Sequence, residues 1–155
     1  MRRIITITLA VLLALCLAVT AFADKATKEE VIAKVKEATT MITNKGRDAA
    51  FREINNQEGK FVWKDTYVFV IDLQGTIVAR AFQQQAIGKN WMKWQDKSDP
   101  PKQPVQMMVD VAKDKGEGWV EYMYPKPGED TPSKKISYVS KVPGQNLLVG
   151  AGIYE

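Results

Sequence analysis

Arg80 stands near the end of an otherwise largely apolar run, Thr76–Ala81, shortly before an octapeptide, Ile87–Trp94, that holds two tryptophans, two lysines and one asparagine. A guanidinium at that place offers a planar fork able to grip a carboxylate through two parallel hydrogen bonds. The commoner fate of such an arginine is the wet rim of a domain. Trp91 and Trp94 are three residues apart and share a face if that stretch turns as a helix. Their bland reading is a hydrophobic plug over a sheet. Their sharp reading is a pocket wall, because small-molecule pockets are mostly apolar with a few placed polar groups. Contact with a membrane interface is a third reading, since tryptophan favours that layer. On the pocket reading Trp91 closes over the organic part of a ligand and Trp94 is the plug. Gly88 supplies a bend, and Asn90 tolerates a left-handed backbone and bonds its own main chain.

Lys135 lies near the start of a later segment, Lys134–Val142, that alternates polar and apolar residues. Together with Arg80 it is a candidate to meet the charge of a small anion, which would be costly to leave unpaired in a partly dry site. Alternation places Val120, Tyr122 and Tyr124 on one face of Trp119–Tyr124. It places Ile136, Tyr138 and Val142 on one face of the next segment, and Lys135, Ser137 and Val139 on the other. Lys135 and Tyr138 therefore line one pocket only if a bulge intervenes. A tyrosine joins a ring to a hydroxyl, which suits a pocket and a core edge equally. Gly150 and Gly152 flank Ala151 within a strand-like segment, a pattern of a bulge or of close backbone approach, with plain packing as the alternative.

Other chemistry is excluded by what is missing. The 155 residues contain no histidine and one cysteine, Cys16. Met1-Arg2-Arg3 followed by an uncharged run to Ala21-Phe22-Ala23 reads as a secretory signal peptide, cut before Asp24. An uncleaved membrane anchor is the alternative, because the run is just long enough to span a bilayer. Cleavage removes Cys16, and without cysteine or histidine the processed chain lacks thiolate nucleophiles, Ser-His triads and the usual zinc or haem ligands. Asp110 and Asp114 read as a solvated helix face, and Ser133-Lys134-Lys135 is too poor a motif to carry catalysis. No enzyme activity and no cofactor are expected. Loss of Arg2 and Arg3 lowers the formal charge from +4 to +2, and the remaining lysines are interspersed with acids. No basic stripe points to nucleic acid.

The elements that must position these residues can be read from periodicity. Thr27 and Glu30 form a capping box ahead of Val31, Val35, Ala38 and Ile42, which recur at helical spacing up to a break at Asn44-Lys45-Gly46. A second short helix carries Ala50, Phe51 and Ile54. Phe61–Trp63 and Tyr67–Ile71 are strand-like, the latter apolar on both faces and so covered on both. Asp72–Gly75 is a turn leading into the second arm of a hairpin, Thr76–Ala81. Val105, Met108, Val109 and Ala112 mark an amphipathic helix that stops at Gly116-Glu117-Gly118. Strands Trp119–Tyr124, Lys134–Val142 and Leu147–Ile153 follow as a meander. The result is one α+β domain, residues 24–155, built on a five-stranded antiparallel sheet covered by helices and loops.

The motifs in series are Asp72-x-x-Gly75, Gly88-Lys89-Asn90, Gly116-x-Gly118-Trp119-Val120-x-Tyr122, Lys135-x-x-Tyr138-Val139 and Gly150-x-Gly152-Ile153-Tyr154. In this order and spacing, from about Asn55 to the last residue, the chain resembles the single Cache domain family. The resemblance implies a PAS-like sheet of strand order 2-1-5-4-3 on a long N-terminal helix. It implies an extracytoplasmic sensor for small organic acids or similar metabolites. It implies Tyr122 and Tyr138 as ligand contacts beside Arg80, Trp91 and Lys135. Two departures are visible. Where the family commonly shows histidine then proline after the first hairpin, this chain has Arg80-Ala81-Phe82. Family members usually adjoin a transmembrane helix, whereas this sequence closes on Tyr154-Glu155 and is expected to act as a stand-alone exported form. The partners expected are a small anionic ligand, a membrane-bound sensor protein, and a second copy paired through the N-terminal helix. The alternative function is that of an interaction partner for such a sensor, with no ligand of its own.

Overall fold

The computed structural model describes residues 24–155. The signal segment, its cleavage site and Cys16 lie outside the described residues. Helix α1 (Lys28–Lys45) opens with the expected capping box: Thr27 Oγ1 accepts from the Glu30 amide at 3.2 Å, and the Thr27 amide donates to Glu30 Oε2 at 2.9 Å. Its stripe of Val31, Val35, Ala38 and Ile42 is buried. Gly46, at φ +82°, ends it and starts α2 (Arg47–Asn55), a turn that a side chain would strain.

The run from Phe61 to Asp72 is divided. β1 (Val62–Trp63) and β2 (Thr66–Tyr67) make a small separate hairpin, and β3 (Phe69–Asp72) enters the main sheet. The expected double coverage holds: Tyr67, Phe69 and Ile71 enter one core cluster, Val68 and Val70 the other. The Asp72–Gly75 turn forms as read, with Asp72 Oδ1 accepting from the amides of Gln74 and Thr76 at 3.0 and 2.8 Å and Gly75 at φ +89°. β4 (Ile77–Arg80) is the returning arm.

After α3 (Pro104–Asp114) come β5 (Glu117–Pro125), β6 (Pro132–Lys141) and β7 (Leu147–Tyr154). The five-stranded antiparallel sheet has the order β4-β3-β7-β6-β5, which is 2-1-5-4-3 when its strands are counted alone. Two cores follow from two coverings. Helices α1 and α2 seal one face with Val31, Ile54, Phe61 and Val149 among its fully buried residues. Helix α3 and the long β4–α3 connection seal the other, over Ile71, Ile77, Val139 and Leu148. Burying each side chain of valine to phenylalanine size contributes about 1.5–3 kcal/mol, so both faces are held by their cores without disulfides.

Candidate ligand-binding site

Arg80 is the last residue of β4, paired with Phe69 across the ladder. Its amide is fixed to Asn55 Oδ1 at 2.8 Å. Its side chain turns inward and is only 4% exposed, so the wet-rim reading does not hold. Nη2 donates to the hydroxyls of Tyr67 and Tyr124, each at 2.7 Å, and to Gln83 Oε1 at 3.4 Å. Its buried Nε has no hydrogen-bond partner among the described residues. The guanidinium carbon lies 5.5 Å from the Trp91 ring centre. A buried donor left unmatched is costly unless something arrives to accept from it.

Lys135 enters from β6, opposite Tyr122 of β5 and Tyr154 of β7. It is 1% exposed. Its ammonium stands 4.7 Å from the ring centres of Tyr67 and Tyr154, and 5.5 Å from that of Tyr124. Such faces attract a cation, but no carboxylate pairs with it among the described residues. Burial, reinforced by the nearby Arg80 charge, pushes its pKa down to about 7. Gly152 clears the path of this side chain: a Cβ there would meet Ser137 Oγ, and would lie 2.9 Å from Lys135 Cε. The Tyr122 hydroxyl is hydrogen-bonded to Ser137 Oγ at 3.0 Å, and burial raises its pKa.

The octapeptide is both plug and wall. The Trp91 amide donates to Gly75 O at 2.8 Å and the Trp94 amide to Trp91 O at 2.9 Å, giving the turn that brings the indoles together. They stack at 5.4 Å, half-buried over the sheet, and both line the cavity. Asn90 shapes the loop through its side chain, donating to Gln74 O at 2.7 Å and accepting from the Met92 amide at 3.0 Å. It does not use a left-handed backbone; Gly88 does, at φ +84°. Farther on, buried Asp96 accepts from the amides of Lys102 and Met123, both at 2.8 Å, and so ties the loop to β5. Burial pushes this carboxyl upward, but bonds from Ser98 and the two amides hold it below the usual range.

The cavity enclosed by these parts measures about 40 Å³ and is lined by Arg80, Lys135, Trp91, Trp94, tyrosines and the apolar face of α3. No Asp or Glu lines it. The structure brings Arg80, Trp91, Tyr122 and Lys135 together. Tyr138 is a correction: β6 runs without a register shift, so Tyr138 points to the α1 face, where its ring lies 5.4 Å from Trp119. Sequence reasoning passed over Tyr67, Phe69, Tyr124 and Met108. Tyr124 was available from its alternation with Tyr122, and Tyr67 and Phe69 from theirs with Ile71. Among the described residues no group of three His, Cys, Asp or Glu could hold a metal.

A five-stranded 2-1-5-4-3 sheet packed on a long N-terminal helix, with an aromatic cavity on its other face, is a PAS-like fold. The model of the Cache domain family matches residues 48–155, and the chain belongs to that family. Cache domains are non-catalytic ligand-binding modules. Several solved structures share the fold, three of them as follows. One is a Cache chemosensory domain described for its carboxylic acid recognition, with 24% identity, a TM-score of 0.71, and coverage of 81% of this chain and 91% of that one. Another is a methyl-accepting chemotaxis protein from Vibrio parahaemolyticus RIMD 2210633, with 21% identity, a TM-score of 0.70, and coverage of 82% and 87%. The third is a periplasmic sensor domain of a chemotaxis protein, with 24% identity, a TM-score of 0.64, and coverage of 98% of both chains.

Proposed function

We propose that the protein is an exported chemosensory domain that binds a small carboxylate between Arg80 and Lys135. One observation carries this reading: two buried basic side chains, Arg80 and Lys135, share an aromatic cavity that no acidic residue lines. Arg80 presents an unmatched Nε to one carboxylate oxygen, and Lys135 supplies the second charge-assisted contact. Trp91, Trp94 and Met108 surround the organic part. At about 40 Å³ the cavity is small, which favours the shortest organic acids. That one of the similar structures is described for carboxylic acid recognition agrees with this reading.

The processed chain starts at Asp24, works outside the cytoplasm, and passes its state to a membrane-bound sensor, with pairing through α1 as the route to a dimer. The test is a thermal-shift screen of short organic acids, amino acids and amines on the purified protein. Two- and three-carbon acids should raise the melting temperature in a concentration-dependent way. A screen in which no acid moves it, while sensor binding persists, would favour a pure interaction partner.

A further inference from the structure

A carboxylate held between Arg80 and Lys135 changes the charge balance of the cavity. Lys135 meets a titratable or aromatic group from every strand around it: Tyr67 of β2, Phe69 of β3, Arg80 of β4, Tyr122 and Tyr124 of β5, and Tyr154 of β7. From α3 and the loop before it, the cavity receives Trp91, Trp94, Pro104, Val105 and Met108, all uncharged. The acid whose charge reaches Lys135 is Asp65, in the β1–β2 turn, beyond ion-pair distance and bonded to the Ala26 amide at 2.9 Å. The unliganded site thus holds Arg80 as its one permanent charge, and a second cation beside it is opposed by burial and by Arg80 alike.

We infer, on the basis of the carboxylate reading, that the cavity selects anions lacking an ammonium group and takes up each such anion together with one proton, which resides on Lys135 Nζ. The balance is simple. Neutral Lys135 amine, one proton from solvent and one carboxylate become an ammonium–carboxylate pair, and no other bond is made or broken. Tyr67, Tyr122 and Tyr154 do not supply the proton change, since burial raises the pKa of Tyr67 to about 12 and moves those of Tyr122 and Tyr154 upward as well. An amino acid of the same skeleton brings its own ammonium beside Arg80 and Lys135 with no acid lining the cavity to receive it. Alanine and propionate differ by that group, and the like-charge contact with desolvation disfavours alanine by about a hundredfold or more.

The experiment is calorimetric titration of the purified protein with propionate in two buffers of different ionisation enthalpy, HEPES and Tris, at pH 8 and, with suitable buffers, at pH 6. At pH 8 the buffer dependence should report net proton uptake, smaller at pH 6, and affinity should fall as pH rises above the Lys135 pKa, towards tenfold per unit. Lys135→Arg, which keeps a charge at all these pH values, should show uptake near zero wherever it binds. Alanine should bind at least about a hundredfold more weakly than propionate. Propionate binding with no proton uptake at pH 8 would overturn the proton coupling and leave the carboxylate reading intact. Alanine binding as tightly as propionate would overturn the selection. Failure of every short carboxylate to bind would remove the carboxylate reading and this inference with it.

Discussion

Lys135 is a residue whose position opposes the stability of the fold it belongs to. Unfolded, a lysine keeps its proton to about pH 10.4; here it loses it at about 7. Between those values the unfolded state holds one more proton, so stability rises with pH across that window. Below pH 7 the buried charge exerts its full penalty. Lys135→Met removes the penalty and keeps the packing against Tyr67 and Tyr154. It is expected to raise the melting temperature by about 5 °C or more at pH 6.5, to flatten the rise between pH 7 and 10, and to abolish carboxylate binding, as read by melting curves across pH with and without propionate. A variant that melts earlier than the parent at pH 6.5 would show that the charge is satisfied by something else. Arg80→Lys keeps a charge but loses the fork that serves Tyr67 and Tyr124 and leaves Nε for the ligand. Losing one charge-assisted contact costs about 1.5–3 kcal/mol, so calorimetry should find propionate binding about ten- to a hundredfold weaker. Trp91→Ala should weaken it comparably. The stacking of the indoles removes the division between ligand contact and plug, so Trp94→Ala should lower affinity as well as stability.

The elements were legible where one local rule decided them. The capping box fixed the start of α1, Gly46 its end, and alternation assigned the faces of β5 and β6. What periodicity could not supply was which face would be cavity and which would be core. Tyr122 and Tyr138 look alike along their strands; they differ because α1 covers one face and α3 with the tryptophan loop covers the other. Asp96 was illegible for a related reason. In Gln95-Asp96-Lys97-Ser98 it reads as surface, and its burial comes from the Met123 amide, distant in sequence. The β2–β3 division at Val68 was missed because Tyr67–Ile71 is uniformly apolar and nothing in it marks a change of partner. The glycines of β7 test the element most sharply. A Cβ at position 150 would lie 2.5 Å from Cζ of Phe69, a ring held in the sheet. Gly150→Ala should therefore destabilise the protein by about 1–3 kcal/mol in urea titration, and a neutral result would mean that the Phe69 ring is free to move aside.

At the scale of the whole molecule, the α1 face carries packing and the α3 face carries chemistry, with β3 and β7 shared between them. Stability and ligand affinity are therefore linked through one sheet. A ligand at a hundred times its dissociation constant stabilises by about 2.7 kcal/mol, which for a domain of this size is a rise of roughly 10 °C. Export belongs to this scale too. Mass spectrometry of the protein recovered outside the cytoplasm should find Asp24 at its N-terminus, and an intact Met1 would contradict the proposed cleavage. The central claim concerns where an anion sits. The most direct measurement is a crystal structure of the protein soaked with 2-bromopropionate, the bromine located by its anomalous signal. The carboxylate should lie within about 3 Å of both Arg80 and Lys135 Nζ, with the bromine among Trp91, Trp94 and Met108. A vacant cavity at saturating acid, or bromine signal only at the surface, would contradict the account.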